Sequence, residues 1–318
     1  MFDIRKYNQT HEEEWNRFVA GSKNGTFLLH RGYMDYHSHR FTDHSLMFYR
    51  KERLYAVLPA NIQDGTLYSH QGLTYGGLIS GKEATAADTV TLFQEMNAYL
   101  RKEHIGRVVY KCVPWIYHRI PSEEDLYAIF RTCAFRLICR NISTVVARDE
   151  PIKWEKSRSR GVRKAMRNGL TVERSNDWKA FWKVLEDNLM HTHNAHPVHS
   201  LQEMELLKSR FPDNIFLYVA RHHEEVVGGY VIYLTPPTAH AQYISATKEG
   251  KQMGAIDTIF HHIIHEDFAH VPYFDFGKST EGHGETLNEG LIFQKEGFGG
   301  RGVCYDWYEW DLSSDSHD

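Results

Sequence analysis

Four cations recur through one stretch of the chain: Lys156, Arg160, Arg163 and Arg167 stand at i, i+4, i+7 and i+11, one face of a helix. Lys153, Arg158 and Lys164 lie beside them and acids are scarce, so the face is a phosphate-sized positive surface and not a lattice of i,i+4 ion pairs. A solvated helix face and a docking face for a phosphate-bearing ligand both fit; the nearly pure positive charge favours the second. Downstream, HTHNAHPVHSLQE gathers His191, His193, His196 and His199. Imidazole is a common zinc ligand, but no Cys, Asp or His-x-x-x-His frame accompanies these four, and no metal site is assigned. Near the end the letters GKST (277–280) suggest a nucleotide-binding loop. The glycine that such a loop needs five residues upstream is Pro272, which has no N–H to offer a phosphate. There is no Gly-x-Ser-x-Gly elbow and no cysteine in a basic setting, so chemistry through a covalent nucleophile is not indicated.

The elements that must position these residues can be read from periodicity. In the C-terminal half LTVER (170–174) reads as a strand, 177–189 as an amphipathic helix, and 200–211 as a second helix opened by a Ser200-x-x-Glu203 capping box. Strands over 215–221, 226–234 and 239–246 follow, rich in β-branched and aromatic residues. A helix over about 255–269, the strand YFDF, a helix over about 285–296 and a last strand GVCYDWYEW complete the order β-α-α-β-β-β-α-β-α-β. The N-terminal half repeats it, from FDIRKY through helices at 84–103 and 123–133 to RLICRNISTVVA. Between the halves, EPIKWEKSRSRGVRKAMRNG has a proline suited to a helix start and Gly169 suited to its end. The expectation is an α+β protein with units at 1–150 and 170–318 and a basic linking helix over 151–169.

Composition sets the bounds. With 318 residues and 42% hydrophobic content, two domain cores can be filled. A net charge of -4 offers no global attraction to nucleic acid, so an anionic ligand must be met locally. Four cysteines without metal spacing, an N-terminus without an apolar signal core, and no run of about 18 apolar residues lead to the expectation of a reduced, cytoplasmic protein with no membrane span.

The repeated order, taken with SRSRGVRKAMRNGLTV, PVHSLQEMELL and its following FP, HAQYISA, YFDFGKSTEGHGETLNEGLIFQKEGFGG and SHQGLTYGGLI, resembles the GCN5-related N-acyltransferase (GNAT) superfamily in its FemAB-like tandem branch. The resemblance spans nearly the whole chain. It implies two tandem GNAT-like units, each a mixed, mostly antiparallel sheet flanked by helices. It also implies an N-acyltransferase that moves an acetyl or aminoacyl group to a small-molecule amine, for instance in cell-envelope or polysaccharide metabolism. No tightly bound cofactor is implied; acyl-CoA or aminoacyl-tRNA would be the donor.

Acetyl-CoA users of the superfamily cradle the pyrophosphate on backbone amides in a Gln/Arg-x-x-Gly-x-Gly/Ala loop before the third helix. Lys251-Gln252-Met253-Gly254-Ala255 is a degraded match. By the resemblance, His199, Glu203 and Lys295 are the catalytic candidates. Glu203 is either a base or only the partner of Ser200 in the helix cap, and Lys295 either steadies the donor or oxyanion or is a surface lysine at a helix end. Tyr243, Ser279, Asn288 and the four cations Lys156, Arg160, Arg163 and Arg167 are the binding candidates. A plain acetyl-CoA-dependent acetyltransferase and a catalytically silent module that captures a phosphate-bearing ligand are the alternatives.

Overall fold

A computed structural model describes residues 1–312, apart from the side chains of 192 and 193. The chain divides into two compact units that do not follow the expected boundaries. The first comprises Met1–Ile142, Thr280–Thr286 and Cys304 onward; the second comprises Ser143–Ser279 and Leu287–Val303. Two long strands, Phe135–Ala147 and Arg301–Asp311, each begin in one unit and end in the other. A single cut near residue 150, as the sequence suggested, therefore matches neither unit.

In the second unit the strands stand in the order Thr171–Ser175, Ile215–His222, Glu225–Leu234, Thr238–Ala246, Tyr273–Lys278 and the end of Phe135–Ala147. All neighbours are antiparallel except Thr238–Ala246 and Tyr273–Lys278, which pair in parallel through three positions only, the last being His240 with Asp275. The basic helix spans Lys156–Arg167, the capping-box helix Leu201–Arg210. Two helices differ from expectation. The segment read as loop before residue 255 forms a short helix, Lys248–Met253, and the next runs Ala255–His262 before relaxing into a π turn over Ile263–Asp267. Gly254 separates the two at a φ of 91°, a conformation that a side chain rarely adopts. The helix expected from about 285 starts at Glu289, because the Asn288 side chain caps it by accepting from Leu291 N.

The first unit carries a four-stranded sheet in the order Asp3–Lys6, Leu46–Arg50, Arg53–Leu58, Ile79–Ser80. A second set of strands includes Asn61–Gln63, Thr66–Tyr68, Arg107–Lys111 and the end of Arg301–Asp311. The stretch read as one strand, RLYAVLPANI, is broken at Pro59, which cannot donate to a ladder. Here too one neighbouring pair is parallel, Thr66–Tyr68 with Arg107–Lys111. Its core gathers Phe48, Leu92, Phe93, Met96, Tyr110 and Trp310.

That core encloses a carboxyl group. Asp125 Oδ2 accepts from Tyr110 Oη at 2.5 Å, and Tyr110 Oη in turn accepts from Leu78 N. Burial pushes Asp125 up to about 6, above the ordinary carboxylate range, because the ionised form loses more hydration than its donors, Tyr110 Oη and Leu126 N, return. A raised folded-state value means that the native protein holds this proton more tightly than the unfolded chain does. The associated stability is present below about pH 4 and is lost as pH rises through about 6, an amount on the order of 2–3 kcal/mol. Urea unfolding of wild type should show this fall, and Asp125→Asn should flatten it.

Candidate active site

The strand Thr238–Ala246 has two unlike faces. Ala239, Ala241, Ile244 and Ala246 join the core with Ile259 and Phe260 of the helix Ala255–His262. On the other face Tyr243 packs edge-on against Trp182 at 5.3 Å between ring centres, and Ser245 Oγ donates to the Val184 carbonyl; both partners lie in the helix Trp178–His193. The register shift against Glu225–Leu234 inserts Gln242 as an extra residue, which turns Tyr243 onto this face. His240 lies on the same face, between the core residues Ala239 and Ala241. Its register partner Asp275 stands between Phe274 and Phe276, which belong to the same core as Ala239 and Ala241.

His240 and Asp275 are in contact: Nδ1 to Oδ2 is 2.8 Å. The Asp275 side chain is completely buried and the imidazole is 14% exposed. Oδ1 of Asp275 accepts from Ser143 Oγ and, at 2.9 Å, from Gly277 N. A carboxylate can only accept, so the His240 nitrogen facing it carries a proton, and the neutral ring presents Nε2 as its acceptor.

Beyond this pair the two parallel strands part. A cavity of about 250 Å³ lies in the opening, lined by Ile244, Ser245 and Ala246 on one side and by Phe276, Leu291 and Lys295 on the other. Lys295 is buried, and its Nζ donates to the carbonyls of Gly277 and Lys278 and to Ser279 Oγ at 2.8–2.9 Å. Desolvation lowers its pKa to about 8, partly opposed by the charge of Asp275. All three ammonium protons are engaged, so Lys295 acts on the Gly277–Ser279 turn and is no surface lysine. The GKST segment thus turns carbonyls toward a cation, the reverse of a phosphate loop.

His199 and Tyr243 come together as well. Tyr243 Oη accepts from the His199 backbone N–H at 3.2 Å and lies 2.7 Å from His199 Nδ1. Burial pushes the phenol up to about 12. Glu203 completes the capping box with Ser200, its carboxylate accepting from Ser200 N at 2.8 Å, and it is half-buried with its charge felt at Tyr243. Ser279 is buried on Lys295, and Asn288 serves as a helix cap. His191 and His196 are exposed, and the side chain of His193 lies outside the described residues. Asp275 stands out in the sequence only as a polar residue alternating with inward Phe residues at a strand end; His240, which opens the quoted stretch HAQYISA, and Ser143 do not stand out at all, and only the pairing in space marks the three together.

The basic helix meets the start of Ala255–His262 with its other face. Arg158 pairs with Asp257 at 2.9 Å, and the backbone of Gly161 lies so close that a Cβ there would fall 1.8 Å from Asp257 Oδ2. A Cβ on Gly254 would fall 2.3 Å from the Gly161 carbonyl. Lys156, Arg160, Arg163 and Arg167 are exposed and form no ion pair with a carboxylate among the described residues. A wider groove of about 850 Å³ beside the helix Trp178–His193 mixes Asp177, Asp187, Glu224 and Glu225 with Lys183, Arg221, Lys248 and Lys251, and includes neither His240, Tyr243 nor Lys295.

The Acetyltransferase (GNAT) domain family matches residues 156–284. No curated protein matches the sequence. Among solved structures, FemX is similar over 96% of both chains at 11% identity and a TM-score of 0.67. L-PGS from Bacillus licheniformis is similar over 98% of this chain and 94% of its own at 12% identity and 0.62. A tandem GNAT protein from the clavulanic acid biosynthesis pathway aligns over 99% of this chain and 100% of its own at 8% identity and 0.51. The GNAT match covers the basic helix, His240 and one side of the cavity, and the likeness in fold to FemX and to the tandem GNAT protein extends over both units, so residues 156–284 carry a GNAT domain within a tandem fold of the FemX kind.

Proposed function

We propose that the protein transfers an aminoacyl group from a charged tRNA, in preference to an acetyl group from CoA, onto the amine of a small acceptor such as a cell-envelope precursor. One observation carries the choice of donor. The helix start that would offer bare N–H groups to a CoA pyrophosphate is covered by the protein's own backbone at Gly161 and neutralised by the Arg158–Asp257 pair. A pyrophosphate there would meet a carbonyl and a carboxylate. The opposite face of the same helix carries Lys156, Arg160, Arg163 and Arg167 without carboxylate partners, a surface suited to a row of phosphates. The likenesses to FemX and L-PGS are of fold, and agree with this reading without naming a substrate.

Acyl transfer to an amine asks for a place that holds the acyl group, a way to remove a proton, and a polar setting for the developing oxyanion. The cavity between the parting strands supplies the first, with Lys295 fixing the turn at its edge.

Thermal denaturation of the full chain with acetyl-CoA and with aminoacyl-tRNA tests the donor. A ligand at about 100 times its dissociation constant adds roughly 2.7 kcal/mol. Stabilisation by aminoacyl-tRNA with product formation is the expected result; stabilisation and turnover with acetyl-CoA alone favours a plain acetyltransferase, and stabilisation without turnover a silent binding module. Replacing Arg160, Arg163 and Arg167 together by Glu should weaken tRNA binding with the melting temperature kept, and make the slope of log K against log salt shallower by about 2–3. Lys295→Met should strand two carbonyls and a hydroxyl without their donor. The expected cost is about 1–3 kcal/mol for each group left unsatisfied, read by urea unfolding, with a fall in transfer rate.

A further inference from the structure

We propose that His240 is the proton acceptor of the transfer reaction, with Asp275 and Ser143 as the residues that position it. The inference rests on the acyl-transfer reading above and adds the group that takes the proton.

Place and chemistry agree. His240 and Asp275 are the last paired residues before the two parallel strands separate, so the imidazole stands where the opening between them begins. The carboxylate is fully buried, receives Ser143 Oγ, Gly277 N and His240 Nδ1, and has no exposed atom with which to meet a substrate. The partly exposed imidazole is the member of the pair that a substrate can reach, and the bond to Asp275 fixes it in the tautomer whose Nε2 accepts. A buried carboxylate behind the ring also stabilises the imidazolium that forms once the proton arrives, as the aspartate does in a Ser-His-Asp triad.

The other titratable or charged groups on this face and around the pair are Tyr243 on the same strand, His199 and Glu203 beside it, and Lys295, whose ammonium is held at the Gly277–Ser279 turn.

In the step itself, the acceptor amine attacks the acyl carbonyl carbon of the donor ester or thioester. The C–N bond forms as the nitrogen gives its proton to His240 Nε2. The imidazolium then returns that proton to the leaving oxygen or sulfur as its bond to carbon breaks. Nothing is oxidised or reduced, and the enzyme ends as it began.

The test uses the full chain as wild type, His240→Gln, Asp275→Asn and Ser143→Ala, with aminoacyl-tRNA and acetyl-CoA as donors and lysine and ethanolamine as acceptors. His240→Gln should lower kcat about a hundredfold to ten-thousandfold with KM held. Ser143→Ala should lower kcat less, again with KM held. A long-range proton–nitrogen spectrum should find the neutral His240 ring protonated at Nδ1 in wild type and no longer so fixed in Asp275→Asn.

A folded His240→Gln protein with the wild-type rate overturns the proposal. So does a wild-type spectrum with the neutral ring protonated at Nε2. Should His240→Gln fail to fold, an unchanged kcat in Ser143→Ala together with that spectrum overturns it. Wild-type protein inactive with both donors removes the acyl-transfer reading and this role together; active wild type with an indifferent His240→Gln removes this role alone.

Discussion

A single buried carboxylate sets the terms for much of the second unit. Asp275 sits on a strand between Phe274 and Phe276, in a position where an unpaired charge would be prohibitive. Three donors make it tolerable: the Ser143 hydroxyl from the strand on one side, the His240 imidazole from the strand on the other, and the Gly277 amide from the turn that follows. These bonds tie three neighbouring pieces of backbone together at the point where the sheet opens. The turn is held in turn by Lys295, whose ammonium collects two carbonyls and a hydroxyl. Removing any one partner leaves a buried polar group of another unsatisfied, which makes the arrangement cooperative.

The basic helix answers a different constraint. Glycine at position 161 lets one helix backbone approach another closely enough that the Gly161 carbonyl closes over Gly254, and Arg158 compensates the Asp257 carboxylate that faces it. One helix therefore divides its cations by face. Arg158 serves the interior, while the others remain in water where a polyanion can displace their counterions. The same residues that look uniform in a string of letters have two separate physical duties.

Much of the fold was legible from periodicity, because amphipathic helices and β-branched runs declare themselves locally. The Ser200–Glu203 capping box is an example: its two bonds span three residues and form as read. Local signals failed where the competing cause was also local but subtler. Pro59 splits a strand that hydrophobicity alone would continue, and Asn288 delays a helix start by capping it. The site was less legible. His240 and Asp275 are 35 residues apart and Ser143 and Asp275 are 132 apart, so no spacing rule joins them. Lys295 was found through a resemblance, but its engagement with backbone carbonyls depends on a turn whose shape no residue type announces.

The division of Arg301–Asp311 between units bears on how the chain acquires its shape. Trp307 to Asp311 pair with Arg107–Lys111, and Trp310 and Leu312, with Tyr308 packed against them, complete a core otherwise drawn from the N-terminal half, across a separation of 194 residues at Cys112 and Asp306. Such a closure is entropically late, since the whole second unit lies within the loop that must be drawn shut. On the ribosome, the first unit emerges with an open strand edge and a gap in its core, and keeps both until the final strand is released. Any strategy that expresses the halves as separate domains inherits that exposed edge permanently, a template for aggregation and not a soluble fragment.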